Sequence, residues 1–309
     1  MTHDELPEGE EVRLMAVPIT DAFAQAAAEV LREYREMVGR SVQEPEPKAE
    51  SPFLAEVASI KSTPDPIGTA RGSLHGMLLE IAGMSFDTAL DHMKALEHDI
   101  TREPPPVWST LVMARAVLES CLFFDYLFEP SISGALRLAR CAGLWRRDTD
   151  HSANLAKVLE REDEATEVDA YVTKALEACD IIARRNDKNR LTGYIVDGEV
   201  SNLDFNITDR ARNRLPEWMP MPYGLLSGAA HGRPWMTDRA RTMSKDGERL
   251  VGEAATVMTA VMVVMASMEM CLRDLQGYLG YELDTALAEL EQYRKVTSLR
   301  LIGLAHAPE

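Results

Sequence analysis

One stretch constrains this chain more than any other. Residues 107–128, VWSTLVMARAVLESCLFFDYLF, are apolar on most faces and are bracketed by Pro104-Pro105-Pro106 and Pro130. Proline lacks the amide hydrogen and its ring clashes with the preceding turn, so both ends are fixed from outside. A helix that is apolar nearly all round has to lie inside a fold, with other elements covering it.

The remaining segments supply that cover in helical form. Residues 20–39 are alanine-rich with apolar positions at helical spacing, and Gly39 is placed to end the helix. Residues 41–68 are Pro-rich and charged and read as a linker, with a short helix possible over 53–60. Long helices are expected over 69–100, with Gly83 as a kink point, over 134–148 behind a Ser131 or Ser133 cap, and over 153–185. Residues 186–221 are turn-rich (NDKN, TGY, DGE), with a short helix at 208–214. Helices over 248–279 and 284–301 close the chain. No segment alternates in the manner of a strand. The expected fold is all-α, an antiparallel helical bundle with an N-terminal helical extension. Residues 1–14 read as disordered, 15–66 as the N-terminal helix and Pro-rich linker, and 67–309 as the main bundle domain.

Size and charge narrow the function. At 309 residues and 46% hydrophobic, the chain can bury a large core. With 33 Lys+Arg against 50 Asp+Glu, its net charge is −17, which repels phosphate backbones and anionic membranes. Nucleic-acid and membrane partners are therefore disfavoured. Cys121, Cys141, Cys179 and Cys271 sit apart in apolar helical contexts without metal spacing, and read as reduced core residues of a cytoplasmic protein. The N-terminus carries neither signal nor transit features. The weakly charged run 254–268 is too short to span a bilayer.

A polar side chain on a buried helix must find a partner, so such positions mark where helices meet. Arg115 and Glu119 stand at i, i+4 on the central helix, with Asp125 beyond them. Arg137 and Arg140 occupy the next helix, and Glu269 the last long one. The apolar stretch 221–235 puts Tyr223, Ser227 and His231 just before a Gly232-Arg233-Pro234-Trp235 terminator. If these helices form one bundle, His231, Arg115 and Glu119 are the candidate reactive residues. Arg137, Arg140, Ser227 and Tyr223 are the candidate ligand contacts. Simpler readings stay open: an ordinary i, i+4 support pair for Arg115 and Glu119, and a satisfied core pair for Ser227 and His231. The carbonyl end of a helix favours a charged imidazole at His231, which suits anion binding better than nucleophile activation. Ser227 has no GxSxG context and no identifiable third residue.

Metals and cofactors find no support. Glu-x-x-His pairs are absent, and no phosphate-binding or dinucleotide loop occurs. Asp87 and Asp91 match the DxxxD of Mg-dependent prenyl-transferring enzymes, but 6% aromatic content does not suggest a carbocation-lining cavity.

Together, ARAVLE (114–119), the RLAR helix, NDKNRLTGY and YGLLSGAAHG resemble an uncharacterised all-helical actinobacterial family. That family carries an R-x3-E helix and a Y-x-LLS-x3-H segment and is distantly similar to HEPN-type domains. The resemblance spans residues 107–275. It implies a helical bundle, frequent homodimers and, in active members, metal-independent RNA cleavage by an R-x4-6-H motif of the kind used in defence and toxin systems. Here that spacing occurs only at Arg146–His151 and Arg300–His306.

Three expectations follow. The first is a binding or regulatory bundle with an internal Arg/Glu/His pocket for a small anionic or polar ligand. The second is an enzyme, either such a ribonuclease or a small-molecule biosynthetic enzyme using His231 as acid/base. The third is a structural protein that dimerises through its helices.

Overall fold

A computed structural model of the chain describes residues 17–43, 46–203, 205–219, 222–233, 241–244, 247–250 and 252–306. The expected disorder of residues 1–14, and the Pro234-Trp235 terminator, lie outside these. Among the described residues the fold is a helical bundle with two small sheets.

Its axis is α4, Ser109–Phe128, the stretch that the sequence marks as central. Leu111, Ala114, Val117, Leu118, Cys121 and Leu122 are almost wholly buried along it. It packs between α3, Ile67–Ile100, and α9, Ala254–Leu279. Helix α1, Asp21–Ser41, is capped by Thr20 and turns Phe23, Ala27, Val30, Leu31 and Tyr34 into the same core, against α3, α9 and α10, Asp284–Ala305. Within the Pro-rich 41–68 stretch, Ser51 caps α2, Pro52–Ser62, whose first-turn proline needs no amide partner. Helix α3 runs unbroken through Gly83.

By length and composition, α9 could cross a membrane (mean hydropathy 1.8), a longer run than residues 254–268 alone suggest. Yet 72% of its most apolar window is buried by neighbouring helices, as in an ordinary core helix. All four cysteines are free and buried.

The structure departs from the expected helices in three places. Helix α5, Gly134–Val158, capped by Ser133, runs past Asp148. It then breaks at Glu160 (φ 61°), and α6, Glu162–Ala178, begins with three acidic residues that suit a helix N-terminus. Next, the end of the helix expected over 153–185 is instead a strand, β1 (Ile182–Arg185), which joins β2 (Leu191–Val196) and β3 (Glu199–Asn202) of the turn-rich region in an antiparallel sheet. Its β2–β3 hairpin turns on Asp197 (φ 49°) and Gly198 (φ 87°), the paired positive φ that a two-residue turn needs. Arg71 of α3 grips the Asp197 carboxylate with two hydrogen bonds, at 2.8 and 2.9 Å, and holds the sheet to the bundle. Finally, β4 (Arg241–Ser244) and β5 (Gly247–Leu250) form a second hairpin where the start of a helix was expected.

Two short helices complete the fold. Asn206 caps α7, Ile207–Arg214, and α8, Pro222–Ala230, packs on α4 and α7.

Leu118→Ala is expected to cost about 2–5 kcal/mol, the usual cost of a buried leucine cavity. Leu299→Ala, at a position 70% exposed on α10, should change stability by no more than about 0.5 kcal/mol. Urea unfolding of the two variants checks the contrast.

Candidate functional site

The C-terminus of α8 closes with backbone bonds. His231 N–H donates to Ser227 O at 3.0 Å, Gly232 N–H to Ala229 O at 3.2 Å, and Arg233 N–H to Gly228 O at 3.0 Å. The last two, with Gly232 at φ 57°, form the 5→2 and 6→1 pair of a Schellman ending. This ending holds His231 where the packing of α8 carries it to α4.

On α4, Arg115 and Glu119 lie one turn apart and bond directly, Nε to Oε1 at 2.7 Å. Arg115 Nη2 donates to Tyr223 Oη at 2.9 Å, and Tyr223 donates to Glu119 Oε1 at 3.0 Å, closing a triangle. Arg115 Nη1 lies 3.4 Å from His231 Nε2. A guanidinium has no lone pair to offer, so in this contact Nε2 accepts and the proton sits on Nδ1.

The four residues therefore form one constellation, a tetrad, spanning 116 residues of sequence between Arg115 and His231. It is not enclosed: the side chains of Arg115 and Glu119 are 19% and 32% exposed, and the Arg115–His231 contact is exposed. The internal pocket expected from sequence is a half-buried constellation open to solvent. Burial works against the Arg115 charge, but the Glu119 carboxylate more than offsets it and holds the guanidinium above its ordinary value. Burial, then the Glu119 charge, raises the Tyr223 phenol, which stays a hydrogen-bond donor. The groups presented outwards are thus a guanidinium, a carboxylate and an imidazole.

The other expected contacts lie elsewhere. Ser227 is half-buried, and its hydroxyl has no hydrogen-bond partner among the described residues, so no Ser–His couple forms. Arg137 is fully buried, and its role is to close the end of α4. It donates to the carbonyls of Leu127 and Glu129, pairs with Glu56 at 3.1 Å, and lies 3.9 Å over the Tyr278 ring. Arg140 bonds Tyr126 O at 2.8 Å and Glu129 Oε2 at 2.7 Å. Both sit at the end of α4, three turns from Arg115. From the sequence, α5 could meet any stretch of α4, and periodicity alone could not place it.

Beside Arg140 lies a polar cluster that the sequence only half revealed. Asp125 of α4 and Asp274 of α9 are 0% and 1% exposed. Arg214 of α7 bonds both, and Arg210 pairs with Asp125 and with Glu129. Burial opposes the charge on Glu129, but Arg140 and Arg210 win and lower its carboxyl to about 2. Asp125 stood out as a polar residue on an apolar helix. Arg210 and Arg214 did not, because they occupy a short polar helix, and Asp274 did not, because Arg273 and Gln276 beside it make that end of α9 locally polar. One signal was available: Arg210 and Arg214 stand at i, i+4 on a short helix, facing one way.

The arginines of the two R-x4-6-H spacings each have carboxylate partners. Arg146 is engaged by Asp150 and Asp169, and Arg300 pairs with Glu29 at 3.6 Å. Among the described residues no group of histidines, cysteines and carboxylates could hold a metal ion. Compared with protein-family models, curated proteins and solved structures, the chain matches none.

The buried acids carry a pH signature. Burial, then the neighbouring Asp125 carboxylate, pushes the Asp274 carboxyl up to about 9. The unfolded chain loses that proton near about pH 4. Between the two values the native state holds the extra proton, so this contribution is complete below the lower value and lost as pH rises through the upper. Asp274→Asn cannot ionise, and its melting temperature is expected to fall less than wild type from about pH 5 to about pH 9. An unchanged slope would contradict the assignment.

Proposed function

We propose that this chain is a binding or regulatory protein of the helical-bundle class, whose tetrad takes a small polar or anionic ligand. One observation carries the reading. Arg115 and Glu119, singled out as polar residues on an apolar helix, meet Tyr223 and His231 through hydrogen bonds that span 104 to 116 residues. A surface i, i+4 pair would satisfy itself on its own helix; here a second element brings a phenol and an imidazole to the same guanidinium. The solvent opening gives a ligand access. Charge-assisted hydrogen bonds to a guanidinium are among the strongest a small polar ligand can make.

An exposed imidazole beside an anion-holding arginine also supports a second reading, a small-molecule enzyme with His231 as acid/base. A HEPN-type ribonuclease is the weaker enzymatic version. Both spacing-matched arginines are spent on carboxylates, and the net charge of −17 opposes RNA.

The test is a melting-shift screen with a panel of small carboxylates, phosphates, amines and amino acids against wild type, Arg115→Ala and His231→Ala. At least one compound is expected to raise the wild-type melting temperature, with that shift lost in Arg115→Ala and weakened in His231→Ala. Shifts that persist unchanged in both variants would refute the tetrad as the site. RNA degradation on expression, abolished by His151→Ala or His306→Ala, would move the conclusion to the ribonuclease.

A further inference from the structure

Hydrogen-bond accounting at the tetrad gives its ligand a chemical class. A guanidinium has five N–H groups. The contacts to Glu119, Tyr223 and His231 use Nε–H and one hydrogen on each terminal nitrogen. One N–H therefore remains on Nη1 and one on Nη2. Glu119 leaves the opposite remainder. Its Oε1 accepts from both Arg115 and Tyr223, while Oε2 takes no hydrogen bond from any described residue. Two free donors and one free carboxylate oxygen thus sit within a helical turn of each other, on side chains 19% and 32% exposed.

The charges of Arg115 and Glu119 cancel. A bare anion would satisfy Arg115 while lying against the Glu119 carboxylate, and a bare cation would meet the reverse penalty. The overall charge of −17 adds a long-range cost for multiply charged anions. A neutral amide edge would match the donor and acceptor pattern, but its hydrogen bonds are about half as strong as charge-assisted ones.

Resting on the ligand-binding reading above, we propose that the tetrad takes a small zwitterion of the amino-acid type. Its carboxylate bridges the two terminal N–H groups of Arg115, and its ammonium donates to Glu119 Oε2. His231, with Nδ1–H free of any partner among the described residues, closes over the carboxylate end. Glu119 is then the residue that selects zwitterions over simple anions.

The experiment is titration calorimetry with glycine, β-alanine and 4-aminobutyrate, set against acetate, methylammonium and inorganic phosphate. Wild type, Glu119→Gln and Arg115→Lys are compared, each first checked for a cooperative melt. At least one zwitterion is expected to bind wild type about tenfold or more tightly than acetate, methylammonium or phosphate. Glu119→Gln should erase that preference, leaving the zwitterion no better than acetate. Arg115→Lys, which keeps the charge but loses the fork, should weaken zwitterion binding about tenfold. Acetate or phosphate binding wild type as tightly as every zwitterion, or zwitterion preference surviving in Glu119→Gln, would overturn the inference and leave the broader ligand site standing. Absence of Arg115-dependent binding by any probe would overturn both.

Discussion

The burial of α4 governs the rest of the molecule. Its apolar faces are covered by α3 and α9, which leaves little room for charge, yet the helix carries Arg115, Glu119 and Asp125. Asp125, fully buried, must be met by a partner brought from elsewhere, and Arg115 and Glu119, which pair with each other, take further partners from another element. The partners come from short elements late in the chain: Arg210 and Arg214 from α7, and Tyr223 and His231 from α8 and its end. The polar positions on α4 therefore act as an address for α7 and α8. Arg137 performs the same service at the C-terminus of the helix, where free carbonyls need donors.

Buried carboxylates recur in this bundle, each held by arginine. Glu269 is fully buried and takes Arg294 at 2.6 Å and Tyr34 at 3.3 Å, and Arg294 in turn lies 5.0 Å from the Trp218 ring. Glu56 joins Arg137, Tyr278 and His75. Such networks add little net stability over apolar packing, but breaking one side of them costs several kcal/mol. They fix which helices meet and in which register. The tetrad differs from them in being open to solvent, with donor and acceptor capacity left over. That surplus separates a candidate site from structural glue.

Much of this was readable from the residues. The core helices announced themselves through proline brackets, apolar faces and a cap at Ser131 or Ser133. The meeting of Arg115, Glu119, Tyr223 and His231 followed from the cost of polar groups on apolar helices. The three-stranded sheet did not show, because its outer strands are four residues long and mostly exposed, so they carry no alternating pattern. The Asp197-Gly198 turn was visible, but its flanking strands were too short to be recognised beside it. The break at Glu160 lies in a charged run without glycine or proline, where local sequence favours continuing the helix. Arg137 and Arg140 were grouped with the tetrad because polarity marks a residue as needing a partner without saying which one. Asp274 and Arg214 are joined by packing across 60 residues, a pairing no local pattern encodes.

The account depends on α8 docking on α4 through the tetrad. A double-mutant cycle of Arg115→Ala and Tyr223→Phe, read by chemical unfolding, measures that coupling directly. Residues sharing one hydrogen-bonded network are expected to be non-additive by about 0.5–3 kcal/mol. Additivity within about 0.3–0.5 kcal/mol would mean that the two side chains act independently, and would contradict the tetrad as a unit.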